Sequence, residues 1–439
     1  MAVIAIKCPH INVTVVDHNP EKIKAWNGSL DNLPIYEPGL SDVVKVVRGQ
    51  NLFFSDDIPV NIEKAEMIFM AVNTPTKTEG EGAGMAADLQ YIEACARDIV
   101  KYSKSDKIVI EKSTLPVRTA EKIKEILQEN STDRHFEVLS NPEFLAEGTA
   151  IQDLYKSDRV LIGGDETESG KKAVQALIDI YANWVPKDKI LTTNVWSSEL
   201  AKLASNAMLA QRISSINSLS ALCEKSGANI DELSKAIGMD HRIGPHFLKV
   251  SVGFGGSCFQ KDIFNLVYLC NYYGLDEAAE YWLQVVKIND YQKDRFTKKI
   301  IDYLGKDLTG KQIAILGWAF KANTKDSRES ASIYVAHKLL ESKVKLNIFD
   351  PMVDKDQIME DIKKQLNKSE SDIRIVKKIL NNVNILDDIE KTIEDVSVIA
   401  VLTEWDELKN FNWDKLQNSH VIFDGRNFLN SVNTKINTL

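Results

Sequence analysis

The sequence predicts an α/β protein with two doubly wound parallel sheets joined by a helical region. In the first part, near-continuous apolar strands alternate with amphipathic helical stretches. A long helical stretch without glycine or proline follows from Trp196 to about Ser226, and the strand-helix alternation restarts at Lys311. Continuous apolar strands are typical of sheets that helices cover on both faces. At 439 residues the chain is long enough for two or three domains.

The first part contains five predicted strands and two predicted helices. The strands lie at residues 13–17, 67–72, 107–111, 136–139 and 159–163, and the helices at 88–102 and 117–130. Loops at the carboxyl ends of parallel strands line the ligand crevice of such a sheet. The residues that follow these strands are therefore the first candidates for ligand binding.

The middle and third parts follow the same logic. We expect a helix at 196–226 that joins two domains, followed by further helices at 231–237, 262–273 and on to 303. The third part is predicted to contain strands at 311–317, 345–350, 396–402 and 421–424 and a helix at 332–342. This makes a second nucleotide-binding type of unit. The polar stretch 354–371 is expected to be a solvated insertion.

Composition excludes several classes of protein. The five cysteines show no paired CxxC spacing and the seven histidines form no ligand pair, which argues against a disulfide framework and a metal site. No apolar run approaches the roughly 20 residues that cross a bilayer. A net charge of −9 argues against nucleic-acid binding. We expect a cytoplasmic protein that meets anionic ligands through local clusters of lysine and arginine.

The segment 254–262 is the strongest chemical signal in the chain. Cys258 follows the pair Gly255-Gly256 and precedes a predicted helix, with Lys261 and Asp262 close behind. Glycines allow close approach of a ligand, and a helix N-terminus with a nearby lysine favours the nucleophilic thiolate. The alternative is a small buried thiol packed where glycines leave room.

Acidic residues provide two further candidate sites. Asp17 ends an apolar strand, where an acid accepts hydrogen bonds from a ribose diol and favours NAD over NADP; the alternative is an exposed turn aspartate. Glu143 and Glu147 follow another strand, four residues apart. If that turn continued into a helix, one carboxylate could position a water molecule and the other a ligand hydroxyl. The alternative is a pair of surface glutamates.

Basic and amide side chains suggest where negative charge is bound. Lys202 and Asn206 are four apart on the long helix, so they share one face and could stabilise an oxyanion, although most helical lysines are simply solvated. Further cations near glycines or strand ends are candidates for anion binding: Arg242, Lys249, Lys321 and Arg426.

Taken together, these motifs resemble one family over almost the whole chain. The matching segments are residues 33–40, 73–77, 111–116, 141–149, 211–218, 254–262 and 328–330. They resemble the UDP-glucose 6-dehydrogenases, and within them the animal-type enzymes. The resemblance implies a metal-free, four-electron oxidation of UDP-glucose to UDP-glucuronate with two NAD molecules, in which a cysteine forms a thiohemiacetal and then a thioester. It also implies self-association, as a hexamer.

The resemblance further implies domains and site residues. The domains are an NAD-binding Rossmann domain at 1–195, a central helical domain at 196–305 and a UDP-sugar-binding Rossmann-like domain at 306–439. The implied catalytic residues are Cys258, Lys202, Asn206, Asp262, Glu143 and Thr114. The implied cofactor-binding residues are Asp17, Lys22, Asn73, Thr74, Pro75, Thr76, Lys77, Ser113, Glu147, Lys261 and Arg328. The implied substrate-binding residues are Phe144, Leu145, Lys249, Phe254, Gly255, Phe320, Lys321, Arg426 and Arg242, the last reaching a neighbouring subunit's site.

The sequence departs from the family pattern at its start and in the third part. Residues 1–10 match the helix that follows the family's first strand and Gly-x-Gly-x-x-Gly turn, which hold the pyrophosphate. We therefore expect a chain lacking that strand and turn, with weak NAD binding or a poorly folded first domain. At 320–323 the sequence Phe-Lys-Ala-Asn replaces the usual second lysine and aspartate of animal members.

Two alternatives to the implied activity remain open at this point. The first is a non-catalytic, truncated isoform that binds UDP-sugar and associates with full-length subunits. The second is a related dehydrogenase that acts on GDP-mannose or a UDP-N-acetyl sugar. Formation of NADH from UDP-glucose discriminates the first alternative, and competition between substrates discriminates the second.

Overall fold

The computed structural model describes residues 1–129, 133–416, 419–429 and 436–438. The chain forms two compact units. The first comprises residues 1–205 and 264–274, and the second comprises residues 206–263 and 275–439. Among the described residues, no helix has the length and apolar character that a membrane crossing requires.

The first unit alternates strands and helices as the sequence predicts. Its strands are β1 (Val13–Val16), β2 (Leu52–Ser55), β3 (Met67–Met70), β4 (Lys107–Glu111), β5 (Phe136–Ser140), β6 (Val160–Gly163) and β7 (Ile190–Thr193). Its helices are α1 (Ala2–Lys7), α2 (Pro20–Asn27), α3 (Leu40–Val47), α4 (Ile58–Lys64), α5 (Gln90–Tyr102), α6 (Thr119–Glu129), α7 (Ala150–Tyr155) and α8 (Glu168–Tyr181). Local chemistry sets the start of α2, because the Asn19 side chain accepts the N–H groups of Glu21 and Lys22.

The strands of the first unit form two separate sheets. Strands β1 and β2 pair in parallel, whereas β3 to β7 form a five-stranded sheet in chain order. The predicted parallel arrangement is wrong at one place: β5 and β6 meet antiparallel, through the pair Ser140 and Gly163. Apolar side chains of α5 and α6, including Ile99 and Ile123, pack on the β3–β4–β5 part of the sheet and form a buried core.

Two of the three boundaries between the units fall within helices. The predicted long helix is confirmed as α9 (Val195–Ser226), and the boundary falls within it, between residues 205 and 206. Another boundary falls between residues 263 and 264, within α11 (Phe259–Tyr272). Between these helices lies α10 (Ile230–Gly238), where the Asn229 side chain accepts the N–H groups of Asp231 and Glu232.

The second unit is built on a six-stranded parallel sheet. Its strands are β8 (Gln312–Leu316), β9 (Lys345–Phe349), β10 (Val383–Ile385), β11 (Val398–Val401), β12 (Val421–Asp424) and β13 (Ile436–Thr438). Its further helices are α12 (Asp276–Leu304), α13 (Ala331–Glu341), α14 (Lys355–Ser369), α15 (Ile373–Leu380), α16 (Ile389–Ile393) and α17 (Asp406–Lys409). The strand order β10-β9-β8-β11-β12-β13 reverses between β8 and β11. That reversal is the place where ligands bind in doubly wound sheets.

The expectation of a solvated insertion at 354–371 is wrong. Most of this stretch is the helix α14, and it contributes Ile358, Ile362 and Leu366 to the core of the second unit. These residues recur every four positions and therefore lie on one face. The high charge of the opposite face hid this apolar stripe.

The remaining predicted elements agree with the structure to within a few residues at each end. Residue 130, the last residue of the predicted helix 117–130, lies outside the described residues. Strands β2, β7, β10 and β13 were not predicted. They are three or four residues long, too short for an alternating or apolar pattern to be distinguished from a loop.

Candidate active site

Cys258 lies at the surface, directly before α11 begins. Its carbonyl accepts the Asp262 N–H at 2.8 Å, so the cysteine is part of the first turn of the helix. The alternative of a small buried thiol is therefore wrong. Gly256 has a φ of +87°, and a Cβ there would lie 2.9 Å from the Phe320 ring. This position requires glycine, both for its backbone conformation and for the close approach of an aromatic side chain.

Asn206 and Asp262 form a buried pair in the second unit. The Asn206 amide donates to the Asp262 carboxylate with a distance of 2.6 Å between Nδ2 and Oδ2. Asp262 is 1% exposed and Asn206 is 6% exposed. The hydrogen bond partly compensates the cost of burying the acid. It also fixes the orientation of the amide, which carries a second N–H donor.

In the first unit, Glu143 pairs with a lysine that the sequence analysis did not assign. Lys112 follows β4, and its ammonium lies 2.9 Å from Glu143 and donates to Asn141 at 3.1 Å. Although burial disfavours the Glu143 carboxylate, Lys112 and the Phe144 N–H outweigh it and lower the pKa of Glu143. Burial likewise opposes the Lys112 ammonium, but Tyr181 and Glu143 together raise the pKa of Lys112. Glu143 is therefore held as an anion.

Two loops at the carboxyl ends of β3 and β4 are joined by hydrogen bonds. The Ser113 hydroxyl donates to the Val72 carbonyl at 2.7 Å, and the Thr74 hydroxyl donates to the Thr114 carbonyl at 3.2 Å. The structure therefore brings together the predicted segments 73–77 and 111–116 in the first unit. Loops that lie side by side at the carboxyl ends of neighbouring parallel strands are typical of a ligand crevice.

The expected helical turn carrying Glu143 and Glu147 is absent from this described segment. Residues 141–146 have no regular secondary structure, so the two carboxylates do not share a helix face. The ring of Phe144 instead meets cations in the first unit. The Arg159 guanidinium lies 3.9 Å from its centroid, and the Lys202 ammonium lies 5.4 Å from it. Lys202 is 8% exposed, so it is not a simply solvated helical lysine.

In the second unit, Arg426 joins the loops that follow β8, β11 and β12. It donates to the carbonyls of Leu402 at 2.6 Å and Phe320 at 2.7 Å. Burial lowers the pKa of the Arg426 guanidinium from its usual value, yet an arginine side chain stays protonated in proteins. Gly317, in the first of these loops, has a φ of +99°. The reversal of strand order is therefore lined by a half-buried cation.

The other candidate cations differ in their placement. Lys321 lies 5.6 Å from the ring of Phe320, its chain neighbour, and Lys249 pairs at 2.6 Å with Glu404, which follows β11. These two residues share the loop region of Arg426. Arg242 does not, because it pairs with Asp240 in an exposed turn.

The residues expected to bind the cofactor are spread over both units. Asp17 follows β1; its carboxylate accepts the Asn19 N–H at 2.8 Å and lies 3.4 Å from the Lys22 ammonium. It presents acceptor oxygens at the carboxyl end of a parallel strand, which fits a ribose diol. Glu147 and Lys261 are half-buried in the first and second units respectively. In the second unit, Arg328 forms a two-pronged ion pair with Asp326.

Sequence reasoning missed a buried pair of carboxyl groups in the first unit. Glu111 ends β4, and Glu199 lies on α9 and accepts the N–H groups of Arg118 and Ala120 at 2.7 and 2.8 Å. Burial and their mutual repulsion raise the pKa of Glu111 well above its usual value, and burial raises that of Glu199. The single available signal was an acid at the end of an apolar strand.

Comparison with known protein families gives three consecutive matches. Residues 1–185 match the NAD binding domain of the UDP-glucose/GDP-mannose dehydrogenase family. Residues 196–291 match the central domain of that family, and residues 314–431 match its UDP binding domain.

Curated relatives match nearly the whole chain. UDP-glucose 6-dehydrogenase 5 of Oryza sativa subsp. japonica is 54% identical over 438 residues, which cover 97% of this chain and 90% of the relative. UDP-glucose 6-dehydrogenase 1 of Glycine max is 54% identical over 440 residues, with 98% and 91% coverage. Both are plant proteins, and the animal-type resemblance stays a prediction.

Solved structures share the fold. A UDP-glucose dehydrogenase from Pyrobaculum islandicum superposes with a TM-score of 0.83 at 29% identity, covering 99% of this chain and 93% of that chain. A UDP-D-ManNAc dehydrogenase from Pyrococcus horikoshii superposes with a TM-score of 0.79 at 23% identity, covering 100% and 95%. The second likeness concerns the fold alone.

Proposed function

Because this chain belongs to the UDP-glucose/GDP-mannose dehydrogenase family, we propose that it oxidises UDP-glucose to UDP-glucuronate with NAD. The observation that carries the proposal is Cys258, an exposed thiol at the first turn of α11, with the buried Asn206–Asp262 pair in the same unit. NAD, when bound, accepts one hydride in each of the two oxidation steps.

Cys258 is the proposed nucleophile. Its thiolate adds to C6 of the sugar aldehyde that the first oxidation produces, and a C–S bond forms while the carbonyl oxygen gains negative charge. Lys202 and Asn206 are the proposed donors to that oxygen, as an ammonium and an amide. Loss of hydride from C6 then gives the thioester.

Hydrolysis of the thioester completes the reaction. A water molecule adds to C6, the C–S bond breaks, and the thiolate of Cys258 leaves with the electron pair. Glu143, Asp262 and Thr114 are the proposed residues that orient this water. Glu143 suits the role because Lys112 keeps it anionic, and an anionic carboxylate accepts a proton from water.

The binding roles follow the chemistry of each residue. Asp17 would accept from the ribose diol of NAD, which its position after β1 supports. The guanidinium of Arg426 and the ammonium of Lys321 would bind anionic or polar groups of the UDP-sugar. The same proposal includes the remaining cofactor-binding and substrate-binding residues predicted from the sequence. It also includes the division into three domains at 1–195, 196–305 and 306–439.

We also propose that the protein is cytoplasmic and self-associates, as a hexamer, with Arg242 reaching a neighbouring site. The exposed apolar side chains of α9 in the second unit support self-association: Met208 is 53% exposed and Leu222 is 63% exposed. Apolar side chains that remain exposed together on a helix are typical of subunit contacts. Light scattering on the purified protein measures the assembly.

The test is NADH formation from UDP-glucose, followed by absorbance. We expect about two NADH per UDP-glucose consumed, and loss of this activity in Cys258→Ser. Cys270→Ser is the matched control, because Cys270 is a half-buried thiol on the same helix and should leave turnover unchanged. UDP-glucose binding without NADH formation would favour the non-catalytic isoform, which the relatives do not favour. Faster turnover of GDP-mannose or a UDP-N-acetyl sugar would reassign the substrate.

A further inference from the structure

Behind the cysteine turn, in the second unit, two hydrogen bonds link three polar side chains. The Glu329 carboxylate accepts from the Tyr334 hydroxyl and from the Gln260 amide, the latter at 3.3 Å. Gln260 is the second residue of α11 and lies two positions after Cys258. These hydrogen bonds therefore connect the start of α13 directly to the first turn of the cysteine helix.

The backbone around Glu329 also contacts the cysteine turn. The Gly256 N–H donates to the Arg328 carbonyl at 2.9 Å. At Gly255, an added Cβ would clash with the backbone of residue 329 and would lie 3.0 Å from the Ser330 Cα. The loop at 328–330 and the Gly255-Gly256 segment are thus packed backbone against backbone.

Glu329 is held in a conformation that a non-glycine residue seldom adopts. Its φ is +52°, in the left-handed region, where the Cβ of an L-residue comes too close to the following carbonyl oxygen. Such strain persists where surrounding contacts over-determine the conformation, and it clusters near functional sites. The contacts here are the hydrogen bonds to Tyr334 and Gln260, and Glu329 has no described salt bridge to offset its charge. Burial and the Glu329 charge raise the pKa of Tyr334, so the tyrosine remains a hydroxyl donor.

We propose that Glu329 is a positioning residue: by holding Gln260, it fixes the cysteine turn in the orientation that the thiol needs. Tyr334 orients the carboxylate, and the Lys293 ammonium, 3.8 Å from the Tyr334 ring centroid, supports the ring from α12. The role of Glu329 in turnover rests on the proposed function of Cys258. Its role in fixing the turn does not.

The test compares Glu329→Ala with Glu329→Gln. Glutamate, alanine and glutamine all carry a Cβ, so the strain of the positive φ is the same in the unmodified protein and in both variants. The comparison therefore isolates the effect of the carboxylate. We expect Glu329→Ala to lower kcat about tenfold, the factor given by losing a hydrogen bond to a charged group, with KM for UDP-glucose within about twofold. Glu329→Gln keeps an acceptor oxygen for Gln260 and should recover most of kcat. Glu394→Ala, an exposed acid in the same unit, is the matched control.

Two further measurements separate positioning from general destabilisation. Amide hydrogen exchange of residues 254–262 should be about tenfold faster in Glu329→Ala and unchanged in the control. The double variant Glu329→Ala with Gln260→Ala should be no slower than the Glu329→Ala single variant, because both act through one hydrogen bond. If Glu329→Ala does not fold, Tyr334→Phe replaces it with an expected two- to threefold loss of kcat, since it removes one donor.

The outcomes are distinct. Equal damage in Glu329→Ala and Glu329→Gln, additive effects in the double variant, or unchanged exchange at 254–262 would each overturn the positioning role. Absence of NADH formation by the unmodified protein would overturn the proposed function, while the exchange measurement would still test whether Glu329 fixes the turn.

Discussion

Replacing Asp262 by alanine tests whether the buried pair holds the cysteine helix together. The variant loses the hydrogen bond from Asn206, which is 2.6 Å long and almost inaccessible to water. Hydrogen bonds to charged groups contribute about 1.5–3 kcal/mol. The carboxylate also lies in the first turn of α11, where a negative charge contributes about 0.3–1 kcal/mol. We therefore expect a loss of about 2–4 kcal/mol in the free energy of unfolding.

Asp276→Ala provides the matched control for this loss. Asp276 is an exposed acid in the first turn of α12, so its removal costs only the helix-dipole contribution of about 0.3–1 kcal/mol. Urea unfolding followed by circular dichroism, on the unmodified protein and both variants, gives the two differences. Asn206→Ala and the double variant complete a cycle whose coupling energy should be about 1.5–3 kcal/mol. Equal losses in Asp262→Ala and Asp276→Ala would refute a stabilising buried pair.

Two further predictions concern stability. Because Lys112 lowers the pKa of Glu143, the folded protein binds a proton at this carboxylate less readily than the unfolded chain does. The pair therefore stabilises the fold at pH values above the unfolded pKa, near 4.5. This stabilisation is lost as the pH falls through the lower pKa of the folded state. In Lys112→Met, the thermal unfolding midpoint should depend less on pH in the acid range than in the unmodified protein. The control Lys364→Met, which replaces an exposed lysine, should keep the pH dependence of the unmodified protein. Identical acid profiles for Lys112→Met and the unmodified protein would contradict the stabilising role of the Lys112–Glu143 pair. Gly317→Ala should lower the free energy of unfolding by about 1–3 kcal/mol more than Gly310→Ala, as measured by urea unfolding. Both glycines have a positive φ, but only the Cβ added at 317 would lie 2.6 Å from the Thr403 nitrogen. Equal losses in the two variants would show that the Thr403 backbone moves to accommodate the methyl group.

The sequence predicted the helices and longer strands because each has a pattern within its own residues. The α9 helix could be predicted from 32 residues without glycine or proline, and β4 from an apolar run of strand length. Helix α14 was missed because its three buried apolar residues stand among many charges and resemble a solvated segment, and the core that they join is made by other elements. Local patterns do not contain the surface against which they pack.

The candidate site shows the same division. The cysteine turn could be recognised from Gly255, Gly256 and Cys258, since glycine before a thiol and a helix has a physical meaning in the sequence itself. The partner of Glu143 could not be recognised, because Lys112 lies 31 positions earlier in the chain and comes close only when β4 and β5 pair. The hydrogen bonds of Glu329 depend likewise on how α11 and α13 are placed.

The sequence by itself therefore determined the fold class, the two nucleotide-binding types of unit and the cysteine at the centre of the proposed chemistry. Only the tertiary structure decided that this cysteine is exposed, that Asn206 and Asp262 are a buried pair, and that Arg426 joins three loops. The physical reason is that residue type and periodicity act along the chain. Burial, hydrogen bonding and pKa depend instead on neighbours that sequence separation does not reveal.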